Sequence, residues 1–102
     1  MRLVRQPQVI HDLVEIANFI AQDNLETSDR FLLAVEATFQ QLLTMPGIGR
    51  AMTLKNPVLS DVRVWRVKGF ENYLVFYKAT VTEVTLLRVV HGARDIEALF
   101  EE

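Results

Sequence analysis

The residues best able to do chemistry in this 102-residue chain are a set of cations and one histidine in its second half. The run Leu86-Leu87-Arg88-Val89-Val90-His91-Gly92-Ala93-Arg94-Asp95-Ile96 is an apolar strand pattern that closes in a compact polar turn. Strand ends and loops are where a small fold displays functional groups. Arg63, Arg66, Lys68, Lys78, Arg88, His91 and Arg94 all fall on strand-like runs or at their ends. Such a set could stabilise a phosphoryl transition state, with arginine as charge clamp and histidine or tyrosine as acid and base. Equally, they are solvated sheet charges and local ion pairs. His91 is either a proton shuttle or a hydrogen-bonding turn residue. Asp95 suits a helix cap, accepting from backbone N–H groups. Gly92 is expected to supply a conformation that a Cβ resists.

Other chemistries have little to stand on. His11 and His91, the only histidines, are far apart in sequence, so no metal is expected. Ser28 and Ser60 have no nucleophile elbow around them. The four glycines form no phosphate-cradling loop, and no cofactor is expected. There is no cysteine, hence no disulfide framework. No stretch approaches the roughly 18 apolar residues of a membrane span. The expectation is a single domain over residues 1–102, cytoplasmic, with no membrane partner.

Net charge is −2, unevenly spread. Residues 1–49 carry three basic and six acidic groups, residues 50–94 eight and three, and residues 95–102 four acids alone. A protein living on phosphate contacts is usually basic overall. This one offers only a local basic face.

These groups must be positioned by a regular scaffold, and its elements are legible. Val4 to Gln6 reads as a first strand ended by Pro7. Ile10, Leu13, Ile16 or Ala17, and Ile20 recur at helical spacing, with His11, Asp12, Glu15 and Asn18 on the solvent side. A second helix follows, capped by Asn24, Thr27 or Ser28, with Phe31, Leu32, Val35, Phe39, Leu42 and Leu43 as its buried stripe. Met45-Pro46-Gly47 stops it, and residues 47–61 read as a loop. Three strands follow, at Val62–Val67, Tyr73–Tyr77 and Val84–Val90, joined by short turns that imply antiparallel neighbours. Regular alternation puts Arg66 and Lys68 on one face, Arg63 and Trp65 on the other. Trp65 is either core or an exposed anchor. Tyr73 and Tyr77 share parity and are expected in the core. A short helix is expected from Asp95 to Phe100. The order β-α-α-β-β-β predicts an α+β fold, with a helix hairpin packed on an antiparallel sheet and a short C-terminal helix.

Four segments in order carry a family resemblance over nearly the whole chain. They are Asp29-Arg30-Phe31-Leu32 in the hairpin, Met45-Pro46-Gly47-Ile48-Gly49-Arg50 after it, the strand Tyr73-Leu74-Val75-Phe76-Tyr77, and the closing Leu87–Ile96 run. Together they resemble the ParE/RelE superfamily of bacterial toxins, the stable halves of type II toxin–antitoxin pairs. The resemblance implies a cognate antitoxin, a toxin–antitoxin hetero-oligomer, and one of two targets. RelE-like members are ribosome-dependent mRNA endonucleases. On that reading Arg66, Arg88, His91 and Arg94 would be catalytic. Placing Arg94 on the RelE-like arginine, however, puts Phe100 where a tyrosine would fall, and phenylalanine transfers no proton. ParE-like members bind and poison DNA gyrase without catalytic residues of their own. The His-Gly-Ala-Arg-Asp tail is more typical of that branch. The expectation is therefore a ParE-like gyrase inhibitor with Arg63, Arg66, Arg88, His91 and Arg94 facing partners. The alternatives are an RelE-like ribonuclease and a degenerate non-toxic member.

Overall fold

A computed structural model describes residues 1–52 and 61–93. Strand β1 (Arg2–Arg5) leads into helices α1 (Pro7–Ala21) and α2 (Leu25–Thr44). Strands β2 (Arg50–Ala51), β3 (Arg63–Val67), β4 (Phe70–Ala79) and β5 (Glu83–His91) follow. They form one five-stranded sheet in the order β1-β5-β4-β3-β2. The α+β class and the helix hairpin on a sheet are as the periodicities predict. Arg94, Asp95, Phe100 and the expected C-terminal helix lie outside the described residues.

Two features refine that expectation. The sheet is mixed, because β1 pairs parallel to β5, Arg2 to Glu83 through Arg5 to Leu86. Short turns dictate antiparallel pairing only for β3, β4 and β5. A parallel neighbour needs a long connection, and here the helix hairpin and β2 to β4 all lie between β1 and β5 in the chain. The loop after α2 also contains β2, which pairs with Val64 and Arg63. Pro7 opens α1 rather than merely ending β1. At a first helical position its missing N–H costs nothing and its fixed φ suits the helix.

On α1 the buried stripe keeps Leu13, Ile16 and Ile20 as expected but opens on Val9 in place of Ile10. Val9 is fully buried, with Leu13, Ile16 and Ile20 packed against the same core, while Ile10 is 55% exposed. Val9, Leu13, Ile16 and Ile20 form the true i, i+4, i+7, i+11 ridge. Asp12, expected in solvent, lies three residues from Val9 and four from Ile16 on that face and is 3% exposed. On α2, Phe31, Val35, Phe39 and Leu42 are buried as expected, but Leu32 is exposed. Asn24 caps α2 through the Thr27 N–H, at 3.0 Å. Ser28 Oγ donates to the Ala17 carbonyl at 2.7 Å and ties the hairpin together.

The helix face of the sheet presents Val67, Val75, Tyr77, Val84, Leu86 and Val89 to this core. A second apolar cluster, Val62, Val64, Phe76 and Val90, lies apart from it, with Leu74 and Leu87 against it. Alternation along β5 is broken once. Tyr77 pairs with Leu86 and Phe76 with Arg88, so Leu87 is an extra residue. This bulge lets both Leu86 and Val89 point at the helices.

Tyr77 fastens the loop after α2. Its hydroxyl donates to the Pro46 carbonyl (2.8 Å) and accepts from the Gly49 N–H (2.9 Å). Gly49 sits so close that a Cβ there would meet the Tyr77 oxygen at 2.5 Å and the Val64 carbonyl at 2.9 Å. Burial pushes the Tyr77 phenol above its ordinary value of 10.0. An acid whose pKa rises on folding stabilises the fold below its unfolded value and loses that contribution as pH climbs. Urea midpoints of the wild type should therefore fall above about pH 10, beyond the fall in Tyr77→Phe. At neutral pH, Tyr77→Phe should itself cost about 1–3 kcal/mol, since it strands the Gly49 N–H.

Candidate functional site

The expected site residues do not converge on one centre. Arg63 and Trp65 do share the helix side of β3. Arg63 Nη1 donates to the Gly49 carbonyl at 2.6 Å, so its guanidinium supports the same loop as Tyr77. Trp65 is half-buried against the core and donates from Nε1 to Gln41 Oε1 at 3.2 Å. Arg66 pairs with Leu74 and lies on the opposite face, exposed. Arg88 is held by Asp12, which accepts from its Nε (2.8 Å) and Nη2 (2.9 Å), and from the Val89 N–H (3.0 Å). The same carboxylate accepts from Gln8 Nε2 at 3.1 Å. This pair raises the Arg88 pKa further, chiefly through the hydrogen bond to Asp12.

His91 ends β5 opposite Tyr73, the two rings edge-on at 5.2 Å. Its Nδ1 accepts from the Ala93 N–H at 3.1 Å, which places the ring proton of the neutral imidazole on Nε2. His91 is thus a hydrogen-bonding turn residue here. Gly92 does not adopt positive φ; Gly69, in the β3–β4 turn, does, at +83°. The restriction at Gly92 is spatial, a Cβ meeting the Asn72 carbonyl at 3.3 Å.

Two concavities flank β4. The first, of about 540 Å³, lies at the β3 edge and is lined by Arg50, Arg66 and Lys68 around Trp65, with Gln41 and Leu74. β2 pairs only with Arg63 and Val64, so β3 from Trp65 onward has no outer strand neighbour among the described residues. Among those residues none of the three cations is ion-paired. Only Glu71 brings opposite charge to the groove. The second, about 730 Å³, lies between α1 and the end of β5, lined by Glu15, Phe19, Tyr73 and His91 among others.

Sequence reading missed Arg50 and Glu15 as lining residues because neither sits on a strand pattern. It also missed a cluster on α1. His11, Asp12 and Glu15 bring one donor atom each within 4.8 Å. The i, i+1, i+4 spacing was the available signal. The Asp12 oxygens, however, already accept four hydrogen bonds.

The sequence profile described as the ParE toxin of type II toxin-antitoxin system, parDE, matches residues 3–96. The chain belongs to the ParE toxin family. Membership implies a cognate antitoxin as partner. Ten chains of solved structures match. One, titled the chromosomal ParDE TA system from P. aeruginosa, superposes with a TM-score of 0.70 at 15% identity, over 89% of this chain and 95% of that one. At that identity the likeness is one of ParE-like fold. No curated protein matches in sequence. Among the described residues no helix is long and apolar enough to cross a membrane.

Proposed function

We propose that this ParE family member, acting as one domain over residues 1–102, inhibits DNA gyrase by binding it. A cognate antitoxin neutralises it by laying an acidic segment in the groove at the β3 edge. The groove carries this reading: Arg50, Arg66 and Lys68 surround Trp65 and Leu74, with one acid against them. Three cations beside apolar surface suit carboxylates interspersed with apolar side chains. Of the five expected partner-facing residues, Arg66 lines this groove. Arg63 and Arg88 act through the Gly49 carbonyl and Asp12 that they bind. His91 belongs to the other concavity.

Purified protein in a supercoiling assay should inhibit gyrase and trap cleaved DNA; unaffected supercoiling would sink the gyrase reading. For the groove, Arg66→Glu with Lys68→Glu should weaken antitoxin binding by about a hundredfold at low salt, two charge contacts at about 1.4 kcal/mol each. The loss should shrink at 1 M salt, where the Debye length is about 3 Å. Unchanged affinity by calorimetry would remove the groove from the antitoxin interface.

An RelE-like ribonuclease would use His91 as acid and base with Arg66, Arg88 or Arg94 as phosphate clamp, and Arg94 lies outside the described residues. Arg66 and His91 lie on opposite faces, and Arg88 is engaged by Asp12. Binding is therefore the reading we keep. Codon-phased cuts on translated messages, lost in His91→Ala, would reverse that preference.

A further inference from the structure

The concavity between α1 and the end of β5 has a different chemistry from the cationic groove. Its floor is apolar, from Ile16, Val89 and Val90. Phe19 stands at its rim, 65% exposed, the only exposed aromatic among the described residues. An aromatic left in water beside a hollow gains by being covered, and such residues anchor interfaces. Tyr73 supplies a second ring, held from behind by Phe31 at 5.0 Å.

The charge in this cleft is negative. Arg88 cancels Asp12, which leaves the Glu15 carboxylate over. His11 approaches Glu15 at 3.5 Å, but both are two-thirds exposed, a weak pairing. His91 Nδ1 is already taken by the Ala93 N–H. Two rings, an apolar floor and two carboxylates, Asp12 and Glu15, against the single Arg88 guanidinium fit an aliphatic stem ending in a cation. The stem covers Phe19 and Ile16, and the head sits between Glu15 and a ring face.

We propose that this cleft is a second binding site, separate from the cationic groove, and that it takes a lysine or arginine carried on an apolar segment of the toxin's target. The inference rests on the toxin reading for its biological partner but not for its chemistry. The two sites have opposite charge and lie on either side of β4, so they are separable by mutation.

The test has two arms. In the first, isotope-labelled protein is titrated with acetyl-Leu-Arg-Leu-amide and with acetyl-Leu-Glu-Leu-amide. The arginyl peptide should shift the Phe19, Tyr73 and His91 signals and the glutamyl peptide should not; Glu15→Gln should weaken the effect several-fold. No shift, or equal shifts with both peptides, overturns the site. In the second, Glu15→Lys with Phe19→Ala is expressed without antitoxin, after its thermal unfolding is matched to wild type. Growth arrest should fall by at least about tenfold, the scale of an interface anchor, while antitoxin affinity changes little. Retained arrest, or loss of antitoxin binding in its place, overturns the assignment to the target. A wild-type protein that never arrests growth counts against the toxin reading, and the peptide arm still decides the cleft.

Discussion

Asp12→Ala should destabilise the protein by about 3–5 kcal/mol, the range found when one member of a buried ion pair is removed. Equilibrium urea unfolding of variant and wild type measures it. Asp12 is 3% exposed and the Arg88 side chain 17% exposed, so the guanidinium left behind has little water to turn to. The backbone adds to the loss. β1 stops pairing with β5 at Leu86, and Asp12 Oδ2 takes the Val89 N–H just beyond, at 3.0 Å. The carboxylate stands where a strand partner would. Asp12→Asn keeps an acceptor but no charge, and should lose about 1.5–3 kcal/mol, the worth of a hydrogen bond to a charged group. A double-mutant cycle with Arg88→Met separates the pair from the burial. A loss under about 1 kcal/mol in Asp12→Ala would mean that the pair is not desolvated as the geometry implies.

Phe31→Ala should cost a similar amount, about 3–5 kcal/mol, as for other buried phenylalanines cut to alanine. The ring is fully buried and meets Phe70 at 5.3 Å and Tyr73 at 5.0 Å, both edge-on. Such contacts add about 0.5–1.5 kcal/mol per pair beyond the area buried. Phe31 also links α2 to the cleft, because Tyr73 lies between it and His91. The unfolding midpoint should fall, and the His91 ring protons should lose part of the Tyr73 ring-current shift in the folded variant. Phe31→Leu, which leaves a smaller void, should lose clearly less stability. If the two variants lose equal stability, the edge contacts and the cavity are not what Phe31 contributes.

The hairpin was readable because amphipathic spacing is a near-neighbour property, and the stops at Pro46 and Gly47 act within a turn of the chain. The errors on α1 were Ile10, expected in the stripe that Val9 opens, and Asp12, expected in solvent. Ile10 and Val9 are equally apolar, and only packing against α2 and β5 selects Val9. The bulge at Leu87 was illegible because Leu86-Leu87-Arg88-Val89-Val90 is apolar at nearly every position and carries no alternation to break. Arg66 and Trp65 were separated correctly by strand parity. Arg50, the fourth residue of the loop expected over 47–61, was not placed at their groove until β2 brought it there.

By itself the sequence determined the α+β class, the helix hairpin between the first strand and the later ones, and the cationic character of those strands, all matters of residue type and short spacing; the family came from the resemblance of four segments in order. The tertiary structure alone decided what the charges do. Asp12 and Arg88 are 76 residues apart, and nothing local marks either as the other's partner. Their pairing, the bulge beside it and the division of the cations between a groove and a backbone support all follow from which surfaces the helix hairpin and the sheet bury against each other. A buried carboxylate must find a cation and donors wherever the fold brings them, so the same residue types served structure at Arg88 and Arg63 while Arg66 makes no ion pair among the described residues.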